Sequence, residues 1–378
     1  MDDRSQGKIE IVQAMRGIAA LLVVMWHASR YFGPYGSGWA GPAFAPGANL
    51  GVDLFFLISG FIMVITTRSN DGTSAYAIRF TIRRFARVWP TYAVSSLLVL
   101  ALNRQLTAYL SSDAGWALLR DIFFIPAVNS GEVPPVFAYP INPVGWTLNY
   151  EVYFYTFFAV SLAFGSRRWI VLAAWLLGTL VMLPLVLGAR PAVSASVDYG
   201  LRGYIGLITN PIVWLFAAGC VIARIYQSSF VVNSKPALKA AMLLVVAVVL
   251  VQYWSRHKIG HGIFQWGLTL APLLLIFSVA SKTMRIDVPR PLTYLGDISY
   301  SLYLLHLFTQ QGFDGLVLRL GLNWSAGFLP FFLTTAASIA VAGLSHRYLE
   351  GWLSSIVREG LMRATRLGRP VPAANMAV

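Results

Sequence analysis

The chain has 378 residues, of which 57% are hydrophobic, 14% aromatic and only 12% charged, against about 25% charged in an ordinary soluble domain, which excludes a soluble globule. Its net charge of +14, from 29 Lys and Arg against 15 Asp and Glu, reads as the basic bias of cytoplasmic membrane loops and not as a nucleic-acid footprint. The single cysteine, Cys220, lies in an apolar run and excludes an intrachain disulfide or a thiolate metal centre.

The apolar runs predict an all-α integral membrane protein with about ten transmembrane helices. These fall at residues 9–31, 50–66, 88–103, 144–164, 169–188, 208–226, 238–254, 263–281, 296–313 and 325–347, each near the length that a bilayer core requires. With both termini cytoplasmic, every inner loop carries at least two bases, as the positive-inside rule demands. A weaker segment at 114–127 holds Arg120 and Asp121 and stops at Pro126, so it is expected to be a lid or interfacial helix. Counting it as a span would move Arg167 and Arg168 outside. A cleaved signal peptide is rejected for the first span, which is long for one and contains Arg16 and His27. Residues 33–48 are expected to be an extracytoplasmic loop, 1–350 the membrane domain, and 351–378 a basic amphipathic cytoplasmic tail.

Ionisable residues at membrane depth are costly and mark function. Along the first span, Arg16 and His27 have ten residues between them. Eleven steps of about 100° bring them to one helix face, about 16 Å apart along the axis. Asp53, at the predicted outer start of the second span, and Glu151, about two turns into the fourth, come out at a depth similar to His27, as does His306 more loosely. A carboxylate beside a histidine would orient it as a general base; the alternative is an outer salt-bridge knot. At the inner start of the third span, Arg83, Arg84 and Arg87 have the three- and four-residue spacings that put guanidiniums on one face, where they could hold several phosphates or anchor to anionic lipid. Trp39, Trp146, Tyr150 and Tyr153 are candidates for stacking on a sugar at the outer mouth, or equally for an interfacial aromatic belt. No serine-nucleophile elbow, zinc-binding histidine pair or phosphate-loop lysine is present.

Five blocks, in order, resemble the acyltransferase-3 family of integral membrane acyltransferases: QAMRGIAALLVVMWH (13–27), GVDLFFLISGF (51–61), RRFARVWP (83–90), GWTLNYEVYFY (145–155) and GDISYSLYLLH (296–306). The fourth block looks most like the branch that O-acetylates exopolysaccharides and lipid-linked sugars. The resemblance implies a protein of the bacterial cytoplasmic membrane that moves an acyl group, usually acetyl, from cytoplasmic acyl-CoA to a sugar hydroxyl. It carries the family's first-helix Arg and His onto Arg16 and His27, its arginine pair onto Arg84 and Arg87, and its acidic residue onto Glu151. Where many members have a second acid, Val152 stands here.

The expectation is therefore His27 as base with Asp53 or Glu151 orienting it, Arg16, Arg83, Arg84 and Arg87 on the CoA donor, and Asn149, Trp146 and His306 on the carbohydrate acceptor, with no metal and no nucleic acid. A proton-coupled transporter or flippase is the competing reading.

Overall fold

A computed structural model describes residues 9–33, 40–111, 114–126, 132–322, 324 and 326–367. Among them every regular element is a helix. In chain order these are α1 (Glu10–Ala28), α2 (Ala40–Thr66), α3 (Ser74–Leu102), α4 (Leu106–Ser111), α5 (Ala114–Ile122), α6 (Trp146–Leu162), α7 (Arg168–Leu177), α8 (Leu183–Val186), α9 (Gly203–Thr209), α10 (Trp214–Gln227), α11 (Lys235–Ser255), α12 (Gly267–Thr283), α13 (Arg290–Asp297), α14 (Ser299–Arg319), α15 (Phe328–Ser345) and α16 (Ser354–Ala364).

Among the described residues, six helical stretches are long and apolar enough to cross a membrane: Glu10–Phe32, Ala43–Thr66, Ser74–Leu102, Gly165–Val186, Lys235–Ser255 and Phe328–Ala364. A seventh is reached if α9 and the helix after it, bent by 45°, count as one span. The chain is thus a multi-pass, all-helical membrane protein. All ten predicted segments contain helix, but α6 and α12 are 17 residues long, and α14 is diluted by Gln310, Gln311 and Asp314. The segment predicted as a lid becomes α5, nine residues long and too short to span.

Two boundaries differ where function depends on them. Helix α2 starts at Ala40, ten residues before the predicted span, so much of the expected loop 33–48 is helix and Asp53 sits well inside it. Helix α3 starts at Ser74, where the Thr73 hydroxyl accepts from Tyr76 N (3.1 Å), a side-chain cap of the usual kind. The Thr73 hydroxyl and amide also donate to Asp71 Oδ1 (2.7 and 2.9 Å) and hold that carboxyl below its usual range. The arginine run 79–87 is therefore within a helix and not at its start. At the other end of the chain, α15 runs without a break into α16, which lies against α3.

Packing is inverted relative to a soluble protein. Helix α2 is central, whereas α11 leaves Leu243, Leu244, Val251 and Trp254 exposed, an apolar surface suited to lipid. Basic residues gather at one end of the bundle. There Arg168 donates to Thr67 O (3.0 Å), Arg168 and Arg224 lie over the Trp169 ring, and Lys282 donates to Ser228 O and Phe230 O (both 2.8 Å). At the other end Arg30 and Tyr31 donate to Asp314 (2.6 and 2.7 Å), tying the end of α1 to α14.

Helices α2 and α10 cross backbone to backbone. A Cβ at Gly60 would collide with Phe216 O, and one at Gly219 with Leu57 O; small residues permit such close approach in membrane bundles. Gly219→Val is expected to force the pair apart and lower stability by about 1–3 kcal/mol, read as a lower melting temperature in detergent. Gly178→Ala, where a Cβ meets nothing within 4 Å, should melt like the parent; equal melting of both variants would refute the crossing's role.

Candidate active site

Helices α1, α2, α3, α6 and α14 line a partly open cavity. Arg16, Arg84 and Arg87 line it, and Glu151 is the one carboxylate on its wall. The arginines are placed differently. Arg84 donates to Thr66 Oγ1 (2.8 Å), and its guanidinium lies over the rings of Phe80 and Tyr155 (5.4 Å each). Arg16 is nearly buried and donates to Gln13 Oε1 (3.2 Å). Arg87 has no hydrogen bond or ion pair within hydrogen-bond reach among the described residues, so its donors are available to a ligand. Arg83, by contrast, is exposed, off this wall, with its guanidinium 6.0 Å from the Tyr76 ring. One carboxylate against three guanidiniums leaves the cavity cationic, and paired guanidinium donors suit phosphate oxygens.

Glu151 does not reach His27. Its Oε1 accepts from Ser59 Oγ (3.0 Å) and from Tyr155 Oη in a shorter bond, which fixes it among the arginines. A second acid serves this region from the chain's far end. Glu350 accepts from Ser301 N (3.0 Å) and from Ser301 Oγ, next to Tyr300 on the cavity wall.

Above the arginines, Tyr303 closes the cavity, its hydroxyl held by Thr147 Oγ1 and Val144 O (3.0 Å each). Its ring lies 6.2 Å from that of His306, which lies 4.8 Å from that of His27. The contacts of this pair assign its tautomers. His306 Nδ1 faces Tyr303 O (2.8 Å) and Leu302 O (3.2 Å) and so carries the hydrogen. In the neutral ring Nε2 is then an acceptor, and it meets His27 Nδ1 at 3.1 Å. His27 Nδ1 also faces Val23 O at 2.9 Å. Facing two acceptors, it carries the hydrogen, which makes Nε2 the basic nitrogen of His27.

The expectation that Asp53 orients His27 is corrected. Gly51 packs against Ala19 and Val23 of α1, so Asp53 lies about two turns, some 11 Å, deeper than His27. Its early helix start, hidden in an Ala/Gly/Pro-rich stretch, is the reason. Asp53 is fully buried; its oxygens accept from His261 Nδ1 (2.6 Å) and Gly262 N (2.8 Å). This pair ties the loop before α12 to α2. His261→Ala would remove one of the two hydrogen bonds to this buried carboxyl, and a loss of about 1–3 kcal/mol is expected, seen as a lower melting temperature; an unchanged melting temperature would refute a structural role for the pair.

Of the aromatic candidates, Tyr150 and Tyr153 are each 1% exposed and are core residues, Tyr150 donating to Pro135 O and Tyr153 to Thr179 Oγ1. Trp146 is half-buried with its ring 5.6 Å from that of His261. Trp39 lies outside the described residues. Asn149 is two positions from Glu151, about 200° around the helix, and faces away from the arginines into a second cavity.

The chain is similar to known proteins over most of its length. The family pattern described as an acyltransferase domain matches residues 9–347. The exopolysaccharide production protein ExoZ of Rhizobium meliloti (strain 1021) is 31% identical over 329 residues, covering 84% of this chain and 92% of that protein. Acyltransferase MdmB of Streptomyces mycarofaciens is 24% identical, covering 97% of this chain and 95% of that one. Peptidoglycan O-acetyltransferase OatA of Listeria monocytogenes serovar 1/2a (strain ATCC BAA-679 / EGD-e) is 23% identical over 92% of this chain, which spans 56% of that protein. No solved structure matches. An ordered set of five sequence blocks, all of which contribute residues to one cationic cavity, and a match over nearly the whole length place the chain in the acyltransferase-3 family of membrane acyltransferases.

Proposed function

We propose that the protein is an acetyl-CoA-dependent O-acetyltransferase of the bacterial cytoplasmic membrane, acting on a sugar hydroxyl of an exopolysaccharide or lipid-linked saccharide. The observation that carries this reading is the three-arginine cavity reaching, through Tyr303, to the His27–His306 pair. The basic end of the bundle would face the cytoplasm. Arg84 and Arg87 would bind the phosphates of CoA there, with Arg16 deeper in the cavity and Arg83 contributing only charge at the rim. The pantetheine arm would pass Tyr303 to bring the thioester to His27.

The chemistry is then direct transfer. Nε2 of His27 takes the proton of the sugar hydroxyl as that oxygen bonds to the acetyl carbon. The C–S bond breaks, and the departing CoA sulfur takes the proton back from the imidazolium, giving the acetyl ester and free CoA. His306 is a positioning residue, since it holds the hydrogen on Nδ1 of His27. Glu151 supports the arginine cavity.

The full chain in lipid nanodiscs, given acetyl-CoA radiolabelled in the acetyl group and a saccharide acceptor, should release CoA thiol in an acceptor-dependent way and label the saccharide. Movement of saccharide across a sealed vesicle with no thiol release would instead identify a carrier and overturn the reading.

A further inference from the structure

A second cavity of about 240 Å³ lies on the far side of α6, between α4, α5 and residues 138–141. Tyr109, Arg120, Tyr139 and Asn149 are among its lining residues. Asn149 is only 6% exposed, and among the described residues its amide has no hydrogen-bond partner. Its amide atoms open onto the cavity and are not sealed in the core, so a ligand there can bond them. Arg120 donates once, to Pro126 O (3.2 Å). The neighbouring Asp121 forms no ion pair with it among the described residues and turns instead to Ser96 Oγ (3.0 Å) and Ile141 N (2.7 Å).

Two contacts lead from the lining of this cavity toward α14. Ile141 lines it, and the next residue, Asn142, donates to Leu304 O on α14, half a turn before His306. Two residues before Asn149, Thr147 holds the Tyr303 hydroxyl. One face of α5 is also lipid-like. Trp116, Leu119 and, just past the helix end, Phe123 are exposed, at the i, i+3 and i+7 spacing of a single stripe beside Arg120.

We propose that this cavity is the acceptor site and that it takes a lipid-linked saccharide. Sugar hydroxyls bond the Asn149 amide between Tyr109 and Tyr139, the linking phosphate meets Arg120, and the lipid chain runs along the Trp116, Leu119 and Phe123 stripe. The proposal rests on the acetyltransferase reading above and adds the acceptor's place and class to it.

The test compares two probes with the full chain in nanodiscs and labelled acetyl-CoA: a polyprenyl-diphosphate-linked oligosaccharide, and the same oligosaccharide released from its lipid. The parent should use the linked form at least about 10-fold better in kcat/KM, the equivalent of one charge-assisted contact. Asn149→Ala should raise KM about 10-fold for both forms, and Arg120→Gln should abolish the preference for the linked one. Ala117→Phe, which fills the cavity from its exposed rim, should block both. CoA binding by calorimetry reports whether each variant is folded, and the rim variant carries the test should Asn149→Ala lose it. Equal use of the two probes by the parent, or unchanged acceptor KM in variants that still bind CoA, overturns the proposal. Absence of thiol release by the parent would strike the acetyltransferase reading instead.

Discussion

His27→Ala is expected to cut acetyl transfer by about 10³-fold, within the range that a positioned general base contributes, while donor affinity changes less than about twofold. The split follows from the distances. His27 is in the last turn of α1 and bonds Val23 O and His306, whereas Arg16, Arg84 and Arg87 open on a cavity whose wall does not include it. His306→Ala should cost less, about 10- to 100-fold, because it removes the group that fixes the tautomer and leaves the base in place. A positioning role predicts that His306→Gln, which can still accept from His27 Nδ1, recovers part of kcat with an unchanged KM for acetyl-CoA. The measurement is single-turnover transfer alongside calorimetric CoA binding. Near-parental turnover by His27→Ala would remove the assignment outright.

What could be read from the sequence was whatever depends on helical periodicity along one segment. The alignment of Arg16 with His27 and the pairing of Arg84 with Arg87 are properties of single helices, so counting at 100° per residue finds them. In the fold Arg16, Arg84 and Arg87 line one cavity, whereas Arg83 is on the exposed side of α3.

Depth across different helices is another matter, since it requires each helix start. Pro, Gly and Ala hide the start of α2 at Ala40, and an error there of ten residues is three turns. That moved Asp53 from the mouth to the interior and from His27 to His261. His261 itself lies in a loop of polar and small residues with no periodic signal. Glu350 likewise sits past the last apolar run, in a helix that continues where hydropathy ends, and only the fold brings it to Ser301. Glu350 ends the HRYLE stretch (346–350) that extends the family resemblance to the last helix, but hydropathy and spacing there do not indicate which residue it meets.

The double variant Arg84→Ala/Arg87→Ala is expected to weaken acetyl-CoA binding by about 10³-fold, with kcat at saturating donor falling far less. Each charge-assisted guanidinium contact to phosphate contributes about 1.5–3 kcal/mol, so single variants should each cost about 10- to 100-fold. Arg87→Ala should be purely a binding defect, because Arg87 has no hydrogen-bond partner of its own to lose. Arg84→Ala also releases Thr66 and uncovers the faces of Phe80 and Tyr155, so it should lower the melting temperature of the unliganded protein as well. Arg87→Lys keeps the charge but not the paired donors and should fall between parent and Ala. Binding should weaken with added salt more steeply in the parent than in the double variant, since fewer screened charge pairs remain to be lost. If the double variant binds acetyl-CoA as the parent does, the cationic cavity is not the donor site. If kcat falls while affinity holds, the arginines act on the reacting atoms and not on the phosphates, and the thioester would have to be placed at the basic end and not beside His27.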